Sequence, residues 1–211
     1  VTSQVTICNM ALGNIGITQT IENINDNNER ARVCKLYYDT MLAQLLRKHR
    51  PNFAQSVVAL ALVSGDAPPG WAYQYRYPTD CLFADELTDE DGARIRTENY
   101  DPSAVVIEPR IPFEVRADPT STGRIIVTDL EDAYLWYTKR ITDPNQFDPE
   151  FVMGFSWALA AAIAMPLKVA PNVANYARNM AQAMAGEAQT GSLSEAERLD
   201  DRMSPSISGR A

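Results

Sequence analysis

Histidine occurs once in this 211-residue chain, as His49, and cysteine three times, as Cys8, Cys34 and Cys81. A single imidazole leaves little room for a catalytic triad or a histidine-ligated metal. Three thiols, odd in number and far apart in the chain, suit neither a disulfide framework nor a zinc knuckle, and point to a reducing compartment. No glycine-rich phosphate loop occurs, since Gly13 and Gly16 lack both the spacing and a preceding strand. Basic residues are also few, 19 against 27 acidic ones, for a formal net charge of −8. That balance disfavours a grip on nucleic-acid phosphates or on an anionic membrane. Residues 1–20 show neither a basic start nor a continuous apolar run, so no signal peptide is expected. The longest uncharged apolar stretch, Phe151 to Leu167, sits at the lower limit for spanning a bilayer. Gly154, Ser156 and Pro166 interrupt it, and a buried helix is the expectation.

What is present is enough apolar sequence, 45%, to build a core. The first third reads as helical. Ser3 can cap a helix over residues 4–14 that Gly13 and Gly16 end, and Asn25 or Asp26 can cap a longer second helix. Along that helix Ala31, Cys34, Tyr38, Met41, Leu42, Leu45 and Leu46 draw one apolar stripe. Arg47, Lys48, His49 and Arg50 close it before Pro51, where cations complement the helix dipole. The middle reads as β. In Trp71-Ala72-Tyr73-Gln74-Tyr75-Arg76-Tyr77 the aromatic residues alternate, which places four rings on one face of a strand. Phe113–Arg116, Arg124–Thr128 and Ala133–Arg140 follow as an antiparallel meander, after an acidic loop from Asp85 to Arg110 with a short strand near Val105–Ile107. Asp148-Pro149-Glu150 then starts a helix to about Ala164, and another begins near Pro171. After Gly186 the composition is too polar to bury much surface on its own.

These readings predict an α+β protein. Residues 1–64 and 146–190 form a helical bundle from the N- and C-terminal helices, 65–145 an antiparallel β domain, and 191–211 an extended C-terminal tail.

Three chemistries have some footing in these residues. Asp89, Asp91, Gly92 and Glu98 take four positions of a calcium-binding loop, but Leu87 stands where the first ligand belongs. Paired carboxylates could hydrolyse a glycosidic bond, with Glu22, between Ile21 and Ile24, as the least implausible acid. Cys81, after Pro78-Thr79-Asp80, is the more exposed of the three thiols on this reading, with His49 a remote partner. No catalytic residue, metal or cofactor is expected.

The order of several segments carries more than any of them alone. Ala11-Leu12-Gly13-Asn14-Ile15-Gly16 leads through a polar turn into Glu29-Arg30-Ala31-Arg32-Val33-Cys34-Lys35-Leu36-Tyr37-Tyr38-Asp39. The run from Leu45-Leu46-Arg47-Lys48-His49-Arg50 to Pro51-Asn52-Phe53-Ala54 follows, then Trp71 to Tyr77 with its exit Pro78-Thr79-Asp80-Cys81-Leu82. Tyr137-Thr138-Lys139-Arg140-Ile141-Thr142-Asp143-Pro144 and Phe147-Asp148-Pro149, with Phe151, complete the set. In this order, over roughly residues 4–190, the chain resembles the tail tubular protein A family, the head–tail adaptors of short-tailed bacteriophages. It departs from that pattern at Gly154 and Ser156, where more aliphatic bulk is expected, and after residue 190.

The resemblance implies a non-enzymatic virion protein at the head–tail interface, assembled in the host cytoplasm. Such adaptors form a ring, usually of twelve subunits, between the portal protein and the tail nozzle protein. DNA passes through the ring without specific binding. Head-to-tail ring contacts need two different patches per chain. Trp71, Tyr73, Tyr75 and Tyr77 on the strand, and Phe155, Trp157, Ala160 and Ala164 on the alanine-rich helix, are the oligomer-interface candidates. Leu193, Ile207 and Arg210 are the portal-docking candidates on the tail. An acidic lumen would repel phosphates and leave no sticky sites for DNA. The alternative, from a different class, is a virion-associated peptidoglycan hydrolase using paired carboxylates.

Overall fold

The computed structural model describes residues 2–89, 111–119 and 122–184. Over these described residues it is mixed α+β, with four α-helices and two antiparallel three-stranded sheets. It divides into two compact units: the described residues up to Phe53 together with those from Ile141 onward, and Ala54–Arg140 between them. The boundaries fall about ten residues inside the expected 64/65 and earlier than 145/146, because residues 55–59 are strand and not the end of a helical region.

In the first unit α1 spans Gln4–Asn14, capped by Ser3, whose Oγ accepts from Thr6 N–H at 3.1 Å. Gly13 stays inside the helix. Gly16, at φ +79°, is the residue that ends it, in a left-handed conformation that costs glycine little. α2 spans Glu29–His49, and its cap is Asn28 in place of Asn25 or Asp26: Asn28 Oδ1 accepts from Ala31 N–H at 2.8 Å. Asp26 closes the preceding turn, accepting from the N–H groups of Glu22 and Asn23, each at 3.0 Å. The expected stripe is buried at Ala31, Cys34, Tyr38, Leu42 and Leu46. Arg50, left-handed at φ 46°, ends the helix after the cationic last turn.

α3 spans Pro149–Ile163 with Pro149 in its first turn, but the Asp148 side chain makes no capping hydrogen bond. It packs against both α1 and α2. Burial of the consecutive Ala158, Leu159 and Ala160 follows from a helix flanked on more than one side. Tyr38 and Phe155 meet edge to face at 4.9 Å, and Phe53, Phe147 and Phe151 form an aromatic cluster with centroids 5.1–5.8 Å apart. α4 is described over 171–184 and buries Ala174 and Ala177.

The second unit replaces the expected single meander with two sheets. β1 (Gln55–Ala59), β6 (Tyr134–Lys139) and β3 (Cys81–Thr88) form one, in the order β1-β6-β3. β2 (Tyr73–Arg76), β5 (Arg124–Thr128) and β4 (Phe113–Ala117) form the other, in the order β2-β5-β4. β4 and β5 make the expected hairpin, but residues 129–133 carry the chain out of that sheet, so β5 and β6 do not pair. Residues 60–63 join the two sheets. Leu60 N–H donates to Ala133 O, Val63 N–H to Gln74 O and Arg76 N–H to Ala61 O. One bent strand thus lies beside β6 and then beside β2, a corner between sheets. The core it encloses includes Tyr75, Tyr77, Cys81, Leu87, Ile126, Ala133, Leu135 and Tyr137. Val105–Ile107 and the 191–211 tail lie outside the described residues.

Candidate functional site

The aromatic row is the first candidate that the structure reassigns. Only Tyr73–Arg76 is strand, and Trp71 lies before it. Tyr75 and Tyr77 belong to the β core, so they have almost no surface to give a neighbour. Tyr75 Oη donates to Leu130 O at 2.9 Å, and Tyr77 Oη accepts from Cys81 Sγ at 3.1 Å beneath the Arg124 guanidinium, 4.0 Å above its ring. Gln74, on the opposite face, is also buried, its Nε2 donating to Gly65 O at 3.2 Å. Period-two alternation marks a strand but does not say which face is wet, and here the strand is covered on both faces at Gln74 and Tyr75. Trp71 and Tyr73 remain half-buried.

The helical candidates divide in the same way. Phe155, Ala160 and Ala164 are fully buried within the chain and offer nothing to another subunit. Small residues on α3 serve close packing inside the unit. Trp157 is half-buried and meets Tyr176 edge to face at 5.8 Å, and Tyr176 is exposed. Leu193, Ile207 and Arg210 lie outside the described residues.

Candidate chemistry fares no better. Leu87 is a core residue of β3, and Asp91, Gly92 and Glu98 lie outside the described residues. Glu22 is exposed on the turn that Asp26 closes. Cys81, expected to be the accessible thiol, is buried, and burial pushes it up despite the hydrogen bond to Tyr77. Cys8 and Cys34 are buried against each other; the hydrogen bond between them, and then burial, pushes Cys8 up. Among the described residues no group of three or more His, Cys, Asp or Glu side chains is placed to hold a metal ion. No helix among them is long and apolar enough to cross a membrane.

His49 lines a cavity of about 30 Å³ with Leu45, Glu150, Phe151, Gly154, Phe155, Ala181 and Met184. Neither ring nitrogen has a hydrogen-bond partner, and burial lowers its pKa. A cavity of this size holds about one water molecule.

What sequence reasoning missed is a set of exposed apolar side chains. Leu36 on α2 is 70% exposed and Met165 after α3 is 67% exposed, with Leu62, Met153 and Tyr176 also outward. Leu36 could have been found as the apolar residue of α2 that falls off the buried stripe. On the sheets the exposed set is Val57, Val58 and Val115.

The quoted motifs meet in space. Asp80 of the strand exit accepts from Tyr137 Oη at 3.3 Å and lies 3.4 Å from Lys139 Nζ, and its backbone oxygen accepts from Arg140 N–H at 2.8 Å. Phe53 of the proline run packs on Phe147 and Phe151. Asn14 of the first motif reaches Ser156 on α3. No protein-family model matches the chain, and no curated protein matches it.

Proposed function

We propose that this chain is a structural head–tail adaptor of a bacteriophage virion. In this reading it forms a homo-oligomeric ring, of about twelve subunits as the resembled family implies, between a portal protein and a tail nozzle protein, and DNA passes through the ring. The helices from the two ends of the chain act as one bundle, and the segment from residue 191 extends to dock on a portal or a neighbouring subunit.

The observation that carries the reading is how the collinear motifs use each other. The strand exit at Asp80 is tied to Tyr137, Lys139 and Arg140, and the Phe53 run is packed on Phe147 and Phe151. Segments that fix one another's geometry in this way are constrained as a set, which supports treating their order as a single signature.

Electron microscopy of the purified full chain, alone and mixed with its portal protein, tests the proposal. Rings seated on the portal are the expected outcome. A chain that stays monomeric with the portal present overturns it.

A further inference from the structure

Sheet edges are where one chain can add strands to another, and proteins usually block them with charge, proline, bulges or cover. In the β unit two of the four edges are blocked. The outer side of β2 is taken by residues 61–63. β3 is bulged at two points and carries Asp85 and Glu86. β1 and β4 remain, and among the described residues no strand pairs with their outer sides. β1 runs in unbroken register against β6, with no charge and no proline between Ser56 and Ala59. Val57 is 41% and Val58 36% exposed, although consecutive strand residues face opposite sides, so this edge is open on both faces. β4 is likewise in unbroken register against β5 and leaves Val115 41% exposed. Its two charges, Glu114 and Arg116, neutralise each other in an ion pair at 2.7 Å.

We propose that the β1 edge of one copy of this chain pairs with the β4 edge of the next copy. The inference rests on the ring reading and names the contact that would build it. The two open edges differ and belong to different sheets, which is the arrangement a head-to-tail interface requires. Pairing them joins a charge-free edge to one whose charges are already balanced, so no charge is left unpaired. It also covers Val57, Val58 and Val115 together.

Cross-linking of two differently tagged full-length chains tests this. One chain carries Val57→Cys or, separately, Val58→Cys, one on each face of the edge, and the other carries Val115→Cys. The native thiols are buried, so oxidation after assembly reads the introduced pairs. A disulfide joining the two tags, in samples where microscopy shows rings, is the expected result. Rings without that link, or links between like tags only, overturn the β1–β4 contact and leave the ring standing. Mixed-tag links in open chains that never close uphold the contact and overturn the ring. Chains that stay monomeric overturn both. A Val57→Lys/Val58→Lys chain supplies a second readout: it melts with the parent but associates about tenfold or more weakly, and undiminished association counts against the proposal.

Discussion

Asn14 Nδ2 donates a 3.1 Å hydrogen bond to Ser156 Oγ, joining the end of α1 to the middle of α3 across 142 positions of the chain. Ser156 is fully buried, and its own hydroxyl donates a hydrogen bond to Met153 O at 2.8 Å. The serine that departs from the expected aliphatic pattern is therefore the acceptor for a part-buried amide. Ser156→Ala removes that acceptor and leaves the Asn14 amide unsatisfied, at an expected cost of about 1–2 kcal/mol. Thermal or urea unfolding reads this, and a cycle with Asn14→Ala should recover most of it as coupling.

Gly154 is the other departure, and it has no comparable role. A Cβ there would meet Met184 Cβ at 3.7 Å, an ordinary contact. Gly154→Ala should therefore stabilise the chain by up to about 1 kcal/mol through helix propensity. A lower melting temperature would show that α3 needs the open space.

Asn9 on α1 holds the loop between α1 and α2 by both backbone groups of Ile21. Asn9 Oδ1 accepts from Ile21 N–H at 2.8 Å, and its Nδ2 donates to Ile21 O at 3.0 Å. Ile21 is buried, so Asn9→Ala orphans both of its backbone groups, an expected loss of about 2–4 kcal/mol. Asn9→Asp keeps the acceptor but turns a carboxylate toward Ile21 O, and should fall at least as far. Denaturant midpoints compare the two.

Much of this was legible because some signals are local. The Ser3 cap, Pro149 in the first turn of α3, and the Ala31-to-Leu46 stripe state their own structure within a turn or two. β1 was hidden because both faces of Val57-Val58 are exposed, which leaves no alternation to read. From Asp85 onward the sequence of β3 resembles a loop, since its acidic residues mask the buried Leu87 and Thr88. The partner of each is β6, up to 83 residues away from β1, and no local pattern announces such a pairing. Five of the interface candidates, Tyr75, Tyr77, Phe155, Ala160 and Ala164, are core residues for a related reason: apolar periodicity finds faces that are buried and cannot tell the chain's own core from a subunit contact.

His49 makes stability depend on pH. Burial, and then the Lys48 charge, favours the neutral ring, so the folded state binds fewer protons than the unfolded one below the usual histidine pKa of 6.5. Its contribution is intact above that pH and is lost as pH falls. The melting temperature should drop between pH 7 and pH 5, and His49→Gln should flatten part of that slope. An unchanged slope would show that His49 is wetter than its surroundings indicate.

All three thiols are buried. A thiol reagent should titrate close to none in the native chain and all three after unfolding in guanidinium. Fast native reaction at one site would identify a region that opens readily.

Gln55 pairs with Thr138, so the β unit begins and ends at neighbouring positions. This alters how the chain can fold as it is made. The contiguous stretch Ala54–Arg140 can close its own contacts while α3 is still unsynthesised, whereas α1 and α2 must wait for their partner. Once formed, the middle of the chain acts as a staple of a few residues in place of a long loop. Bringing α3 back to the waiting helices is then cheaper by roughly 2–3 kcal/mol of closure entropy. Assembly within the chain thereby departs from the order of synthesis: its middle closes first, and its first-made and last-made ends join afterwards.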